Sequence, residues 1–397
     1  MNNCLFKNKK HLFSLPENKI YLCGHSLGPM PKAAKQFVEH GLKEWEMNRV
    51  NGWIDSEWIH LPQKLGKKIA PLIGALPDEV IVTDSTSINL FKLLLSALDL
   101  NPQRNVILTE SSNFPADLYI VQSVAKLRNT VIVNTVSTDQ ILAALNKNVA
   151  VLMLTQVNYR TGYMHDMEKI SKEAHKLGVL VLWDLSHSIG AIPLSCSELK
   201  IDFAVGCTYK YVNGGPGSPG FLYINKKHHS DFKPAILGWM GHKEPFAFSP
   251  VHEPADGVTA CLTGTPFILS MKALEGALEI FDGVNFESLR AKSIALSDYL
   301  IRQIQNKVPL IRCESPIDSS ARGSHVAFSH PHAYPISRAM IANGVTIDYR
   351  EPNILRFGIS PLYLDFEDIE RAVDYLANIM NSKFYEDNQF QKRLKVT

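Results

Sequence analysis

From Glu79 onward the chain alternates short apolar runs with longer amphipathic ones. The apolar runs fall at 80–83, 106–109, 131–135, 151–155, 179–183, 203–207 and 221–224, and each has the length and β-branched content of a strand. Between them, 89–98, 117–127, 138–145 and 167–177 carry apolar side chains at helical spacing. Strand runs apolar on both faces and separated by helices predict an α/β fold, with a mostly parallel seven-stranded sheet covered by helices on both sides. Ligands of such sheets bind beyond the carboxyl ends of the strands. Upstream, Phe37, Val38, Leu42 and Trp45 mark one face of a helix over 33–50. After Pro266 a long helical stretch, 267–305, leads into short segments at 310–313, 325–329, 336–342, 345–349 and 355–359 and a last helix over 366–380. These predict a smaller α/β domain. The expected division is an N-terminal segment, 1–55, packing with the small domain, a large domain over 56–270, and the small domain over 271–397. The tail from Asn381 is polar and expected to be loose.

The loops after two of these strands carry the chemistry. The apolar run 203–207 delivers Lys210 into a turn dense in Gly and Pro, 213–220. Desolvation beside a buried strand favours the neutral, nucleophilic amine that a Schiff-base lysine needs. The run 179–183 ends in Asp184. A lysine and an aspartate at neighbouring strand ends are what pyridoxal phosphate requires, one for its aldehyde and one for its pyridinium nitrogen. Either residue alone reads as a solvated loop charge; the two on successive strands favour the cofactor.

Other candidates gain weight beside that pair. Ser85, Thr86 and Ser87 open a helix after the first strand and predict a phosphate seat, although hydroxyls also serve as plain caps. Phe114 can stack on a pyridine ring, and Asp117 can add charge near its nitrogen; the alternative is an ordinary Pro-containing helix start. His187 leaves the Asp184 strand, and Tyr209 adjoins Lys210 with a phenol suited to phosphate binding or proton relay. Arg356 sits among apolar neighbours in a small-domain strand, where its fork fits an amino-acid carboxylate or an internal ion pair. The His228-His229 and His330-x-His332 pairs have no metal-ligand context and read as loop residues, so no metal site is expected.

Composition narrows the class. The chain has 397 residues, 45% hydrophobic and 20% charged, as in ordinary globular proteins. Forty-one basic and 39 acidic residues leave a formal charge of +2, so no global field points to nucleic acid. Six scattered cysteines (Cys4, Cys23, Cys196, Cys207, Cys261 and Cys313) fit reduced thiols rather than a disulfide framework. No apolar run is long enough for a membrane span, and no signal peptide is visible, so a cytoplasmic enzyme is expected.

Seven segments together resemble the kynureninase family over nearly the whole chain. They are Tyr21-Leu-Cys-Gly-His-Ser-Leu-Gly28, the run 82–92, Ser112-Asn-Phe-Pro115, Val157-Asn-Tyr-Arg-Thr-Gly162, Trp183-Asp-Leu-Ser-His187, the run 209–217 and Gly238-Trp-Met-Gly-His242. The resemblance implies a fold type I pyridoxal 5'-phosphate enzyme that hydrolyses L-kynurenine to anthranilate and L-alanine in tryptophan degradation and NAD biosynthesis. It implies phosphate contacts at Thr86, Ser87 and Tyr209, and ring contacts at Phe114, Asp117, Thr155, Asp184 and His187. Lys210 matches the Schiff-base lysine and Arg356 the carboxylate clamp. Trp239 and Thr265 match residues reaching the cofactor of a second subunit, so a homodimer with shared sites is implied. Trp53, with Thr265, matches the aryl pocket, and His25 and Ser26 the substrate-facing opening motif, where the family usually has Asn in place of His25. A cysteine desulfurase using Cys313, or a non-catalytic cofactor-binding relic, remain the competing readings.

Overall fold

The computed structural model describes residues 6–394, so Cys4 lies outside the described residues. Among the described residues thirteen strands form three sheets. In chain order they are β1 (Ile20–Tyr21), β2 (Val80–Val82), β3 (Val106–Glu110), β4 (Ile132–Val136), β5 (Val149–Thr155), β6 (Leu180–Asp184), β7 (Phe203–Gly206), β8 (Phe221–Ile224), β9 (Arg312–Cys313), β10 (His325–Ser329), β11 (Val345–Thr346), β12 (Asp348–Arg350) and β13 (Ile354–Gly358). The large sheet has the order β2-β8-β7-β6-β5-β3-β4. Its links from β7 through β4 are parallel, while β8 runs antiparallel to both β7 and β2. Strands β5 to β8 are buried almost throughout, because helices cover both faces.

The small domain is a four-stranded antiparallel sheet of order β12-β13-β10-β9. β1 pairs with β11 in parallel, Ile20 opposite Val345, which joins the N-terminal segment to this end of the molecule.

Two sequence expectations are corrected. The stretch 267–305 is not one helix but two, Ile268–Leu278 and Phe286–Lys307, separated by a turn in which Gly283 takes φ 68°. A left-handed residue there cannot continue a helix, and Asn285 caps the next one by accepting from the Ser288 N–H at 2.8 Å. The tail is also ordered. The last long helix runs Phe366–Ser382, and Tyr385 and Phe390 are buried against the core beyond it. Burying these two aromatic rings outweighs the polar composition around them.

At the opposite end of the large sheet from its ligand-binding edge, Asp202 is 1% exposed. It accepts from the Val181 N–H at 2.8 Å and lies 2.9 Å from His175 Nε2, 2.8 Å from His228 Nε2 and 2.6 Å from Lys227 Nζ. His228 is thus in hydrogen-bond contact with a buried carboxylate rather than a plain loop residue. Burial alone pushes the Asp202 carboxyl up, but His175, His228 and Lys227 outweigh it and hold it well below the usual carboxylate range. Its contribution is therefore present above an unfolded value of about 4 and is lost as pH falls toward the folded value. Asp202→Asn is expected to lower unfolding free energy by about 2 kcal/mol at pH 7, a buried-pair cost reduced because Lys227 and His175 are partly solvated. Urea melts at pH 7 and pH 3 check this; a difference that does not shrink at the lower pH contradicts the assignment.

Candidate active site

The carboxyl ends of β5, β6 and β7 converge on one buried polar cluster. Parallel register sets Thr155 beside Asp184. Asp184 is buried, with Oδ1 accepting the Ser186 N–H at 2.7 Å. Ser186 Oγ in turn accepts the Cys207 N–H at 3.1 Å, tying the Asp184 loop to the one that carries Lys210. Asp117 lies 2% exposed in the first turn of the helix Pro115–Leu127, with Oδ2 3.1 Å from Thr155 Oγ1. Burial, and then the charge of Asp184, raise the Asp117 carboxyl well above its usual range. Two facing buried acids call for a cation between them.

Lys210 supplies the amine. Its Nζ is 2.9 Å from His187 Nε2 and 6.0 Å from the ring centres of both Phe114 and Tyr209. Burial, then the positive Lys210, push His187 well below its usual value, so the neutral ring accepts at Nε2 and carries its proton on Nδ1. Tyr209 is raised by the neighbouring Cys207 and by burial, and keeps its phenolic proton at neutral pH. Phe114 remains 41% exposed, leaving ring surface open beside Lys210.

The helix Thr86–Leu100 starts beside this cluster, capped by Ser85 Oγ accepting the Ile88 N–H at 3.4 Å. The first N–H groups of a helix have no intrahelical partner. A side chain at Gly220 would come within 3.0 Å of Thr86 N, so glycine there keeps that donor approachable. Helix dipole and free amides make this a seat for a phosphate. Below it, Lys92 is buried and paired with Asp84 at 2.5 Å, which braces the turn. An open aromatic face, two buried acids, an amine at a strand exit and a phosphate seat together fit pyridoxal phosphate.

On the small-domain side, antiparallel register puts Asp348 directly across from Arg356. Arg356 is 1% exposed; its Nε donates to Asp348 Oδ1 at 2.7 Å and its Nη2 to Oδ2 at 2.5 Å, while Nη1 donates to the Tyr159 carbonyl at 2.5 Å. The internal ion pair weighed from the sequence is therefore present, and two of the five guanidinium N–H groups remain. Burial alone would raise the Asp348 carboxyl, but its neighbours hold it well below its usual range. Tyr159 stands edge-on to Phe114 at 5.2 Å, which links this pair to the Lys210 cluster.

His25 is fully buried, 3.3 Å from Asp348 Oδ1 and stacked on His325 at 5.1 Å. Burial pushes it down to about 4, so it is neutral at pH 7. Ser26 follows it, and Gly28 N–H donates to the Tyr209 carbonyl at 2.7 Å, pressing the opening motif onto the lysine loop.

The remaining candidates make their contacts elsewhere. Trp53, in the short helix Gly52–Asp55, stands edge-on to Trp58 at 5.9 Å. Trp239 stacks on Phe248 at 6.2 Å, and Thr265 lines a cavity of about 250 Å³ with Asp84 and Thr263. Asp348, Arg350, Tyr159 and His325 were not singled out from the sequence. The one available signal was Asp348, a charge inside an apolar strand run. Cys313 is half-buried with its thiol raised by burial, the opposite of what a nucleophilic cysteine needs.

Comparison with known proteins agrees with this geometry. The kynureninase C-terminal domain matches residues 289–376, and the DegT/DnrJ/EryC1/StrS aminotransferase family matches residues 41–193. The chain is 43% identical over 395 residues to a kynureninase of Burkholderia mallei, covering 97% of this chain and 95% of that one. It is 42% identical over 394 residues to the kynureninase of Pseudomonas fluorescens, again covering 97% and 95%. Among solved structures, the cystine lyase C-DES with glycine covalently linked to its PLP cofactor superposes with TM-score 0.80 at 20% identity, over 93% of this chain and 99% of that one. A cysteine desulfurase of Thermococcus onnurineus gives TM-score 0.80 at 16% identity, over 94% and 98%. At these identities the structural likeness speaks for the fold.

Proposed function

The chain belongs to the kynureninase family, and on that premise we propose that it hydrolyses the Cβ–Cγ bond of L-kynurenine, releasing anthranilate and L-alanine. The observation that carries the reading is Lys210, held against His187 beside the Asp117–Asp184 pair and joined through Tyr159 to a buried arginine. Pyridoxal phosphate, when bound, supplies an electron sink for the carbanion formed at Cα. Lys210 would hold its aldehyde, Asp184 and Asp117 its ring nitrogen, Phe114 its face, Thr155 and His187 its ring substituents, and Thr86, Ser87 and Tyr209 its phosphate.

The chain's own residues do the rest. Arg356 binds the substrate carboxylate through its two remaining N–H groups and so orients Cα–H toward Lys210. The freed Lys210 amine takes that proton, with His187 Nε2 accepting from it. Tyr209 keeps a proton that it can give and recover near the lysine. His25 and Ser26, which lie against Asp348 and Arg350, would border the substrate beside Arg356. Trp239 stacks on Phe248 and Thr265 lines a cavity with Asp84 and Thr263; their action on the site of a second copy in a homodimer rests on the family resemblance. Free Cys23, Cys196, Cys207, Cys261 and Cys313 support a reducing, cytoplasmic setting on the tryptophan degradation route. Among the described residues no helix is long and apolar enough to cross a membrane.

Mixing the purified, cofactor-loaded protein with L-kynurenine tests the reading: anthranilate fluorescence should appear. If sulfide is released from cysteine and no anthranilate forms, the assignment is wrong.

Substrate preference follows from the aryl pocket. Following the family resemblance, Trp53 and Thr265 would bring an indole face and a single hydroxyl to the aryl pocket once a second copy completes it, so a 3-hydroxyl group on the substrate would be desolvated with little compensation, at about 1–3 kcal/mol. His25 is fully buried against Asp348 and His325, so although its ring nitrogens lack hydrogen-bond partners among the described residues it presents no surface to that hydroxyl. L-Kynurenine is therefore expected to exceed 3-hydroxykynurenine in kcat/KM by about fivefold or more. An equal or higher value for the hydroxylated substrate overturns this.

A further inference from the structure

The ion-pair network behind Arg356 holds a second guanidinium. Arg350 ends β12 two residues after Asp348, with Nη2 3.2 Å from Asp348 Oδ2 and 3.5 Å from Ser26 Oγ. Its one short hydrogen bond runs from Nη1 to the Tyr349 carbonyl at 2.7 Å. Its side chain is 31% exposed, whereas Arg356 is almost completely enclosed.

Charge balance separates the two arginines. Arg356 and Asp348 form a side-on, two-bond pair and cancel. His25 is uncharged at pH 7 and adds nothing. A substrate carboxylate arriving at Arg356 alone would therefore leave the enclosed group with an unbalanced negative charge, next to Asp348. With Arg350 present the group carries one net positive charge before binding and none after it. Buried charge is tolerated only when it is matched in this way.

We propose that Arg350 is a specificity-determining residue, supplying the positive charge by which the site selects an amino acid with a free α-carboxylate. Arg356 fixes the direction of that carboxylate, and Arg350 balances its charge from the Ser26 side. The proposal rests on the amino-acid substrate reading above. The alternative role for Arg350 is a brace that only holds Asp348 in place.

The test compares two ligands on the cofactor-loaded protein. L-Alanine, the amino-acid product, and L-alaninamide, which lacks the carboxylate, are titrated while the absorbance of the bound cofactor is followed. In Arg350→Gln the dissociation constant for alanine is expected to rise on the order of a hundredfold, while that for alaninamide stays unchanged. Arg350→Lys keeps the charge without the fork, so alanine should weaken by about tenfold, again with alaninamide unchanged. If either variant weakens both ligands equally, Arg350 is a brace and the proposal fails. If neither ligand moves, Arg356 suffices and the proposal also fails. Should the glutamine variant not fold, the lysine variant decides by the same two criteria. Wild-type protein that binds cofactor yet responds to neither ligand would instead overturn the amino-acid reading itself.

Discussion

Lys210→Ala is expected to lower turnover of L-kynurenine by about 10⁴-fold or more, the largest effect of any single change in this chain. The lysine has two tasks that no neighbour can take over. It is the only amine within reach of the His187 ring among the described contacts, and on the proposed function it is the base that takes the Cα proton. His187 is neutral but offers its acceptor nitrogen to the lysine and not to a substrate. The Tyr209 phenol is held protonated, so it cannot replace the amine as a base. The fold should survive, because Lys210 lies in a loop and contributes one hydrogen bond, worth about 1 kcal/mol. The variant should keep cofactor through the phosphate seat and the two acids, losing only the covalent attachment. A small external amine supplied at high concentration should restore part of the activity. Anthranilate release by the variant within tenfold of wild type would remove Lys210 from its role.

Which features were legible in the sequence depended on how local they were. The seven strands of the large sheet were visible because a strand buried on both faces is continuously apolar, and helices of ordinary length separate most of them. Lys210 and Asp184 were visible for the same reason, since Asp184 closes its own strand and Lys210 comes a few residues after the next. The antiparallel attachment of β8 and β2 was not, because apolar runs carry no sign of strand direction. Arg356 was legible as a charge inside a strand, but its partner was not. Asp348 meets it only through the antiparallel register of β12 on β13, which alternation alone does not fix. The same holds for His25, whose neighbours His325 and Asp348 lie some three hundred residues away in the chain. Conversely, the loose tail was an error of weighting: polar residues dominate after Asn381, yet Tyr385 and Phe390 suffice to dock it.

The second large effect is expected at Asp184. Its carboxylate, 4% exposed at the end of β6, is where the proposed function puts the positive ring nitrogen of the cofactor. Asparagine is nearly isosteric and can still accept the Ser186 N–H through its amide oxygen, so local structure should persist. What disappears is the negative charge that stabilises the protonated ring as electrons arrive from Cα. Removing one such preorganised electrostatic group costs roughly 3–4 kcal/mol, or 10²–10³ in kcat. The effect should stop short of complete loss because of Asp117. Its carboxyl is raised by burial and then by the charge of Asp184; with that charge gone, it ionises more readily and takes over part of the task. The double change Asp184→Asn with Asp117→Asn should therefore cost more than the sum of the two single changes, each of which leaves one acid to respond. Steady-state kcat/KM for the two single variants and the double variant measures this directly. A single Asp184→Asn variant within a few-fold of wild type would show that the ring nitrogen is held by another group.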